Sequence, residues 1–302
     1  MRVLVSGGTG LLGRQLVAEL TGAGHECIVL SRHPERVRGL PGGARAERWD
    51  GKTTHGWGTL VGEDTALVNL AGASIAGGRW SDARKAEILG SRVAATRAMV
   101  QAVKDAPIPP KVLLQASAVG YYGSTGDREI VETSPPGDDF LATVCVAWEA
   151  ASRPVETLGV RRVLLRTGVV LSRDGGALPK MALPFRLFAG GPVGSGDQYV
   201  PWIHEADEIG AMRFLLERDD LAGPFNLTAP EPVTNRELSR RLGAALHRPA
   251  LVPAPAFALR LLLGEMSGLL LGGQRALPEA LAQSGYAFRF ASLEAALADL
   301  YG

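Results

Sequence analysis

The stretch Met1-Arg-Val-Leu-Val-Ser-Gly-Gly-Thr-Gly-Leu-Leu-Gly-Arg14 constrains the fold more than any other part of this 302-residue chain. Val3, Leu4 and Val5 read as a short buried strand, and Leu11 to Leu20 carries the apolar spacing of a helix. Gly7, Gly10 and Gly13 punctuate the turn between them. A strand that runs through glycines into a helix leaves backbone N–H groups unpaired at the helix start, where they suit a pyrophosphate. The first glycine permits the tight turn, the second lets a phosphate approach the backbone, and the third lets helix and strand pack closely. A nucleotide held by Gly7, Thr9, Gly10, Leu11, Leu12 and Gly13 is therefore the first functional expectation. A glycine-rich joint that only links β to α would carry the same residues.

The pattern continues as alternating β and α. Strands are expected at 26–31, 44–50, 65–72 (running into a turn), 111–117 and 161–171, with helices at about 81–104 and 141–158. This alternation predicts an α/β fold, a doubly wound parallel sheet of seven strands. Beyond residue 171 the segments 174–181 and 190–196 read as lid loops. A helix is expected to open across 201–207 and run to about 218, followed by a short strand at 225–228 and helices at 235–246 and 256–263. The expected division is a nucleotide-binding domain over 1–171, to which about 197–228 returns, and a lid and substrate lobe over 172–302. The last part of that lobe, about 250–300, forms a small C-terminal α/β unit.

In such a sheet the second strand ends at the adenosine ribose. Here it ends in Ser31-Arg32, with Arg36 one turn on and no acid at its tip. A guanidinium suits a phosphate dianion, which favours NADP(H) over NAD(H). Arg32 as a solvated loop residue is the alternative. Asp50 is placed to accept from the adenine amino group or to cap the next turn. Asn69, Leu70, Ala71 and Gly72 bring backbone to the cofactor at the edge of the fourth strand. Trp80, Arg84, Lys85 and Arg92 lie near the entry of the long helix; a solvated face is expected for most of them, with Arg92 counted among the cofactor contacts. Ser117, Tyr121 and Tyr122 follow the fifth strand, where the nicotinamide would sit, and His204 and Lys180 are placed to reach in from the lid. Each has a plainer alternative: the tyrosines pack beneath their loop, His204 bonds backbone at a helix start, and Lys180 pairs with Asp174.

Composition narrows the partners. A formal net charge of +1, with 46% hydrophobic and 21% charged residues, gives no reason to invoke nucleic acid or an acidic membrane. The two cysteines, Cys27 and Cys145, have no metal-type spacing, so neither a metal site nor a disulfide framework is expected. The apolar run 257–271 is broken by Arg260 and Glu265 and is too short to span a bilayer. Met1 leads straight into the first strand with no room for a signal peptide, so a cytoplasmic protein acting on a small molecule is expected.

Taken together, Gly7-x-x-Gly10-x-x-Gly13, Asn69-Leu-Ala-Gly72, Ser117 and Arg166-Thr-Gly168 resemble the extended short-chain dehydrogenase/reductase superfamily of sugar-nucleotide epimerases and dehydratases. Gly78-Arg-Trp80, Ser117-Ala-Val-Gly-Tyr-Tyr-Gly123, Ser134-Pro-Pro-Gly-Asp-Asp-Phe140, Trp202-Ile-His204 and Leu262-Leu-Gly-Glu-Met266 narrow the resemblance to its atypical "epimerase family" subgroup, which has its own C-terminal domain. The resemblance implies a Rossmann-type fold, a nicotinamide dinucleotide, and oxidoreductase or epimerase-like chemistry on a substrate such as a nucleotide sugar, with Ser117 and Arg166 at the site. It also implies a Tyr with a Lys four residues on, since a lone tyrosine near pKa about 10 is a poor base at neutral pH. No Tyr-x-x-x-Lys occurs in the chain, and Leu141 and Cys145 hold the corresponding positions. Three expectations follow: turnover with a replacement acid/base, an NADPH-binding sensor or regulator without turnover, or a partner-binding scaffold with a vestigial nucleotide domain.

Overall fold

The computed structural model describes all 302 residues. Seven parallel strands form one sheet: β1 (Arg2–Ser6), β2 (Glu26–Ser31), β3 (Ala44–Arg48), β4 (Thr65–Asn69), β5 (Val112–Ala118), β6 (Arg161–Thr167) and β7 (Gly223–Leu227). Their spatial order is β7-β6-β5-β4-β1-β2-β3. The order reverses at β1, whose Ser6 pairs with Leu30 of β2 on one side and Asn69 of β4 on the other. Ligands of open α/β sheets lie at such a reversal, beyond the carboxyl ends of the strands.

Strand alternation builds two core layers. Val3 and Val5 face α1 (Leu11–Gly22) and α5 (Glu205–Glu217), in a cluster with Leu16, Val17, Leu20, Met212 and Leu215. Leu4 faces the opposite way, onto α2 (Asp82–Asp105), with Ile28, Leu67, Leu113, Ala95 and Met99. Both faces are therefore covered, which is why the central strands read as continuous apolar runs. α3 (Phe140–Ser152) packs beside α2.

A third core, around Leu171, Phe185, Trp202, Val233, Leu238, Leu242, Leu297 and Leu300, holds the C-terminal lobe. It joins α4 (Leu178–Arg186), α6 (Asn235–Ala245) and the last helix, Leu293–Tyr301. No helix is long and apolar enough to cross a membrane.

Four expectations change. The strand expected over 161–171 breaks at Gly168, where a Cβ would stand 2.2 Å from the Pro201 carbonyl oxygen. Val169–Leu171 then leaves the main sheet and pairs with Trp202–His204. Residues 201–204 are accordingly extended rather than helical, and α5 begins only after His204. The helix expected over 141–158 ends at Ser152 and tightens into a 3-10 turn, Arg153–Leu158, at Pro154, which has no N–H to continue it. Within the expected loop 174–181, Leu178 already opens α4.

Candidate functional site

The glycine turn is built as its spacing requires. Gly7 lies at φ +71°, and a Cβ there would come within 2.9 Å of the Leu70 carbonyl group. At Gly13 a Cβ would be 2.2 Å from the Gly7 oxygen, so the helix can approach the strand only without one. Gly10 differs. It is exposed, holds ordinary extended angles (φ −76°, ψ 178°) as the cap of α1, and a Cβ would meet only the Gly7 oxygen, at 3.2 Å. No side chain caps α1 and no acid lies in its first turn, so its N–H groups are left for an external anion. Leu11 and Leu12 are half-buried beneath this end, and Arg14 spans it by donating to the carbonyls of Thr9 (2.9 Å) and Arg38 (3.2 Å). A cavity of about 330 Å³ opens here between Thr9, Leu11, Arg14, Gln15 and Asp174. A larger cleft of about 800 Å³, between Ala18 and Glu19 of α1, Arg213 of α5 and Arg289, contains none of the expected site residues.

At the tip of β2 the Ser31 hydroxyl accepts from the His33 N–H, and Arg32 and Arg36 are exposed. Arg48, directly across from Ser31 in β3, joins them. It donates to the Arg32 carbonyl (3.3 Å) and pairs with Glu35 (3.2 Å). Sequence reasoning passed over Arg48, although its place at the end of the neighbouring strand was the available signal. Asp50 caps its turn: one oxygen accepts the N–H groups of Lys52 and Thr53 and the other the Thr53 hydroxyl, each at 2.8 Å. Those donors hold its carboxyl below the usual range.

Asn69 is fully buried at the end of β4, accepting from Ser6 (2.6 Å) and donating to Thr96 (3.0 Å) and Gln115 (2.9 Å). These bonds fix the turn whose next residues, Leu70 and Ala71, back onto Gly7. Gly72 lies under the Arg92 guanidinium. Arg92 is half-buried, donating to the carbonyls of Ala73 and Ile88, so the solvated face expected along this helix does not include it. Arg84 and Lys85 are tied to Glu87 and Glu265, and Trp80 stacks edge-on against Phe140.

Beyond β5 lies a buried polar chain. Ser117 donates to Glu149 (2.6 Å), and Glu149 takes two parallel bonds from Arg166, each 2.9 Å. Arg166 also donates to the Tyr122 hydroxyl (2.9 Å) and the Glu132 carbonyl (3.0 Å), and Tyr122 donates to Asn226 (2.7 Å). Burial works against the Arg166 charge, but the bidentate carboxylate outweighs it and keeps the guanidinium protonated. Burial pushes Tyr122 up to about 12, so it is a poor proton donor or acceptor for a ligand. Tyr121 is half-buried with the Arg166 guanidinium 3.6 Å from its ring centre. Leu141 and Cys145 face Gly120 on this same loop, and burial, with Glu149 nearby, pushes the Cys145 thiol up to about 12. Glu149, Glu132 and Asn226 were not singled out from the sequence. Glu149 left a trace: it is the sole charged residue of α3.

His204 lies elsewhere. Its Nδ1 accepts from the Ala206 N–H at the start of α5, its ring stacks on Phe290, and Asp299 is its nearest charged neighbour at 3.3 Å. Burial lowers its pKa. Lys180 is exposed and makes no ion pair with Asp174 or any other acid.

Glu208 of α5 is fully buried, accepts from Thr167 at the end of β6 (2.7 Å), and has one oxygen without a partner. Burial raises its pKa from 4.5 to about 8. The folded chain therefore binds a proton that the unfolded chain releases, and stability falls as pH rises from about 4.5 to about 8. Glu208→Gln keeps the bond from Thr167 and removes the titration. The variant is expected to match the parent in melting temperature near pH 5 and to exceed it by several degrees at pH 8.5, as thermal melts across pH would show. Parallel curves would refute the assignment.

Residues 3–227 match the NAD dependent epimerase/dehydratase family, and residues 254–300 match a domain of unknown function (DUF1731). The chain is 39% identical to human Epimerase family protein SDR39U1 over 99% of both chains. It is 38% identical to Epimerase family protein YfhF of Bacillus subtilis over 99% of this chain and 98% of that one. The crystal structure of human epimerase family protein SDR39U1 (isoform 2) with NADPH has a TM-score of 0.88 at 39% identity, covering 100% of this chain and 99% of that one. MoeE5 in complex with UDP-glucose and NAD is 21% identical with a TM-score of 0.78 over 100% and 97% of the chains, a likeness of fold alone. On the match across residues 3–227 and the relatives that span its length, the chain belongs to the NAD dependent epimerase/dehydratase family.

Proposed function

We propose that this chain binds NADP(H) across the carboxyl edge of its sheet and acts on a small second substrate by oxidoreductase or epimerase-like chemistry. The carrying observation is the glycine cradle, where Gly7 and Gly13 leave no room for a Cβ while Gly10 presents open backbone at an uncapped helix start. That donor set fits a pyrophosphate. Arg32, with Arg36 and Arg48 beside it, fits the 2′-phosphate, and the relative crystallised with NADPH agrees. Asn69, through Leu70 and Ala71, shapes the backbone wall of the site. NADP(H) held there supplies hydride exchange at the nicotinamide. The chain's own share is to hold the dinucleotide, to present Ser117 and Tyr121 at the β5 edge, and to exclude water with the C-terminal lobe. A nucleotide sugar is one substrate class to test, because neighbours of the same fold were crystallised with UDP-sugars. The two unpaired, buried cysteines suit a cytoplasmic setting.

Calorimetry with NADPH and NADH tests the cofactor. Arg32→Asp is expected to weaken NADPH at least tenfold and leave NADH within threefold. Equal losses would remove Arg32 as the reader of the 2′-phosphate.

A second reading is favoured by Leu141, Cys145 and the engaged Ser117: NADPH binding without turnover, serving a sensor or regulatory role. Hydride-transfer assays on sugar nucleotides and small carbonyls separate the two. Saturating NADPH should add stability, about 2.7 kcal/mol at 100 times its dissociation constant, so a melting temperature unmoved by millimolar NADPH would instead favour a vestigial site.

A further inference from the structure

Among the buried and half-buried arginines of α2 and β6, Arg92 alone has no acid and leaves a terminal nitrogen unused. Arg166 has Glu149, Arg162 has Glu156, and Arg84 has Glu87. Arg161 lacks an acid but spends both terminal nitrogens on the carbonyls of Leu215, Leu216 and Leu221. Arg92 has no acid within ion-pair distance and spends only Nη1, on Ala73 (2.9 Å) and Ile88 (3.0 Å). Its Nε and Nη2 donate to nothing in the protein. The guanidinium lies 4.9 Å from the Trp148 ring centre, and the indole N–H of that ring is buried and also without a partner. Gly72 makes room for this arrangement, since a Cβ there would be 3.0 Å from Cζ of Arg92.

A half-buried cation with no counter-charge thus lies beside a buried donor with no acceptor, and a buried donor left unpaired costs free energy. One ligand oxyanion relieves both. We propose that Arg92 and the Trp148 N–H form a recognition site for an oxyanion, a phosphate or carboxylate carried by the dinucleotide or by the second substrate. The site lies on the α2–α3 side of Gly72, apart from the glycine turn. Desolvation by burial, with Arg84 as a further cation nearby, disfavours the charge that Arg92 carries, and an incoming anion would favour it. The oxyanion site stands on its own geometry; only the choice between its two sources rests on the dinucleotide reading above.

Calorimetry on the full chain tests it with three probes: NADPH, 2′,5′-ADP, and inorganic phosphate added to NADP⁺-saturated protein. Arg92→Met is expected to lose at least tenfold in affinity for NADPH or for phosphate while 2′,5′-ADP stays within twofold. Loss of NADPH assigns the anion to the dinucleotide; loss of phosphate alone assigns it to the second substrate. Trp148→Phe keeps the ring and removes the N–H, and should show a smaller loss in the same arm. If Arg92→Met melts too low to use, Arg92→Lys, which keeps the charge without the fork, is expected to lose at least threefold. Affinities for both NADPH and phosphate within twofold of the parent, in a folded variant, would overturn the proposal and leave Arg92 as a strut for the Ala73 carbonyl. If the parent binds neither 2′,5′-ADP nor NADPH, the dinucleotide reading fails instead, and phosphate binding to the unliganded protein still decides the role of Arg92.

Discussion

A chain carrying Gly10→Val is expected to fold and to lose NADPH by at least 100-fold. The two halves of that expectation have separate causes. Folding survives because Gly10 holds extended angles open to any residue, is exposed, and would bring a Cβ no closer than 3.2 Å to another atom. A cap change of this kind costs about 1 kcal/mol. Binding fails because the isopropyl group stands over the free N–H groups of α1, where a pyrophosphate must come within hydrogen-bond distance. A hundredfold loss corresponds to about 2.7 kcal/mol, the scale of one or two charge-assisted bonds. Gly13→Ala is the contrasting control: its Cβ would stand 2.2 Å from the Gly7 oxygen, so this variant should lose stability as well as ligand. Thermal melts with calorimetry on both proteins check the pair. NADPH affinity within tenfold of the parent in Gly10→Val would remove the glycine turn as the phosphate site.

That the turn and sheet were legible in the sequence has a physical basis. Buried parallel strands are apolar on both faces, Gly13 is forced by the Gly7 oxygen within the same turn, and Gly7 by its own positive φ as well as by the distant Leu70 carbonyl, so most of both signals is local. Most of the acid/base edge was not legible. Ser117 and Tyr122 read as hydroxyls near the nicotinamide, with packing beneath the loop as the alternative for the tyrosine, and both are pinned by Glu149 and Arg166, which lie 32 and 44 residues further along. A side chain's freedom depends on partners that only the fold brings together. The same holds for His204, whose Nδ1 serves α5 while its Nε2 faces the last helix 95 residues on. Its placement at a helix start could be read locally; its burial could not. Asp50 shows the converse, because turn capping within three residues is a local property, and that alternative is the one the structure displays. The break at Gly168 was hidden because Val169–Leu171 is as β-prone as β6 itself, and the change of partner is imposed by Pro201 from a distant segment.

Arg166→Met is expected to destabilise the chain by about 3–5 kcal/mol, the usual cost of removing one member of a buried ion pair. Arg166 and Glu149 have side chains only 5% and 10% exposed, so little solvent is available to replace either partner. The loss would leave Glu149 with the Ser117 hydroxyl alone and strip a donor from Tyr122 and the Glu132 carbonyl. Those groups tie β5, α3, β6 and the edge strand β7 together, and Glu132 in turn accepts from the Asn226 N–H and from Ala280 in the C-terminal lobe. Against a total stability of about 5–15 kcal/mol, such a loss is a large fraction. The pair Arg166→Met with Glu149→Leu should be less damaging than Arg166→Met alone, because no uncompensated charge remains. A double-mutant cycle by denaturant unfolding measures the coupling, and a cost below 1 kcal/mol for Arg166→Met would show that the network does not hold this edge. The same variants decide the part Arg166 plays toward the cofactor. Four of its five N–H groups already have protein acceptors, so its influence on NADPH should come through the position of Ser117 and Tyr121 rather than through direct contact. NADPH affinity should therefore fall in proportion to the loss of local order, and recover in the double variant to the extent that stability does.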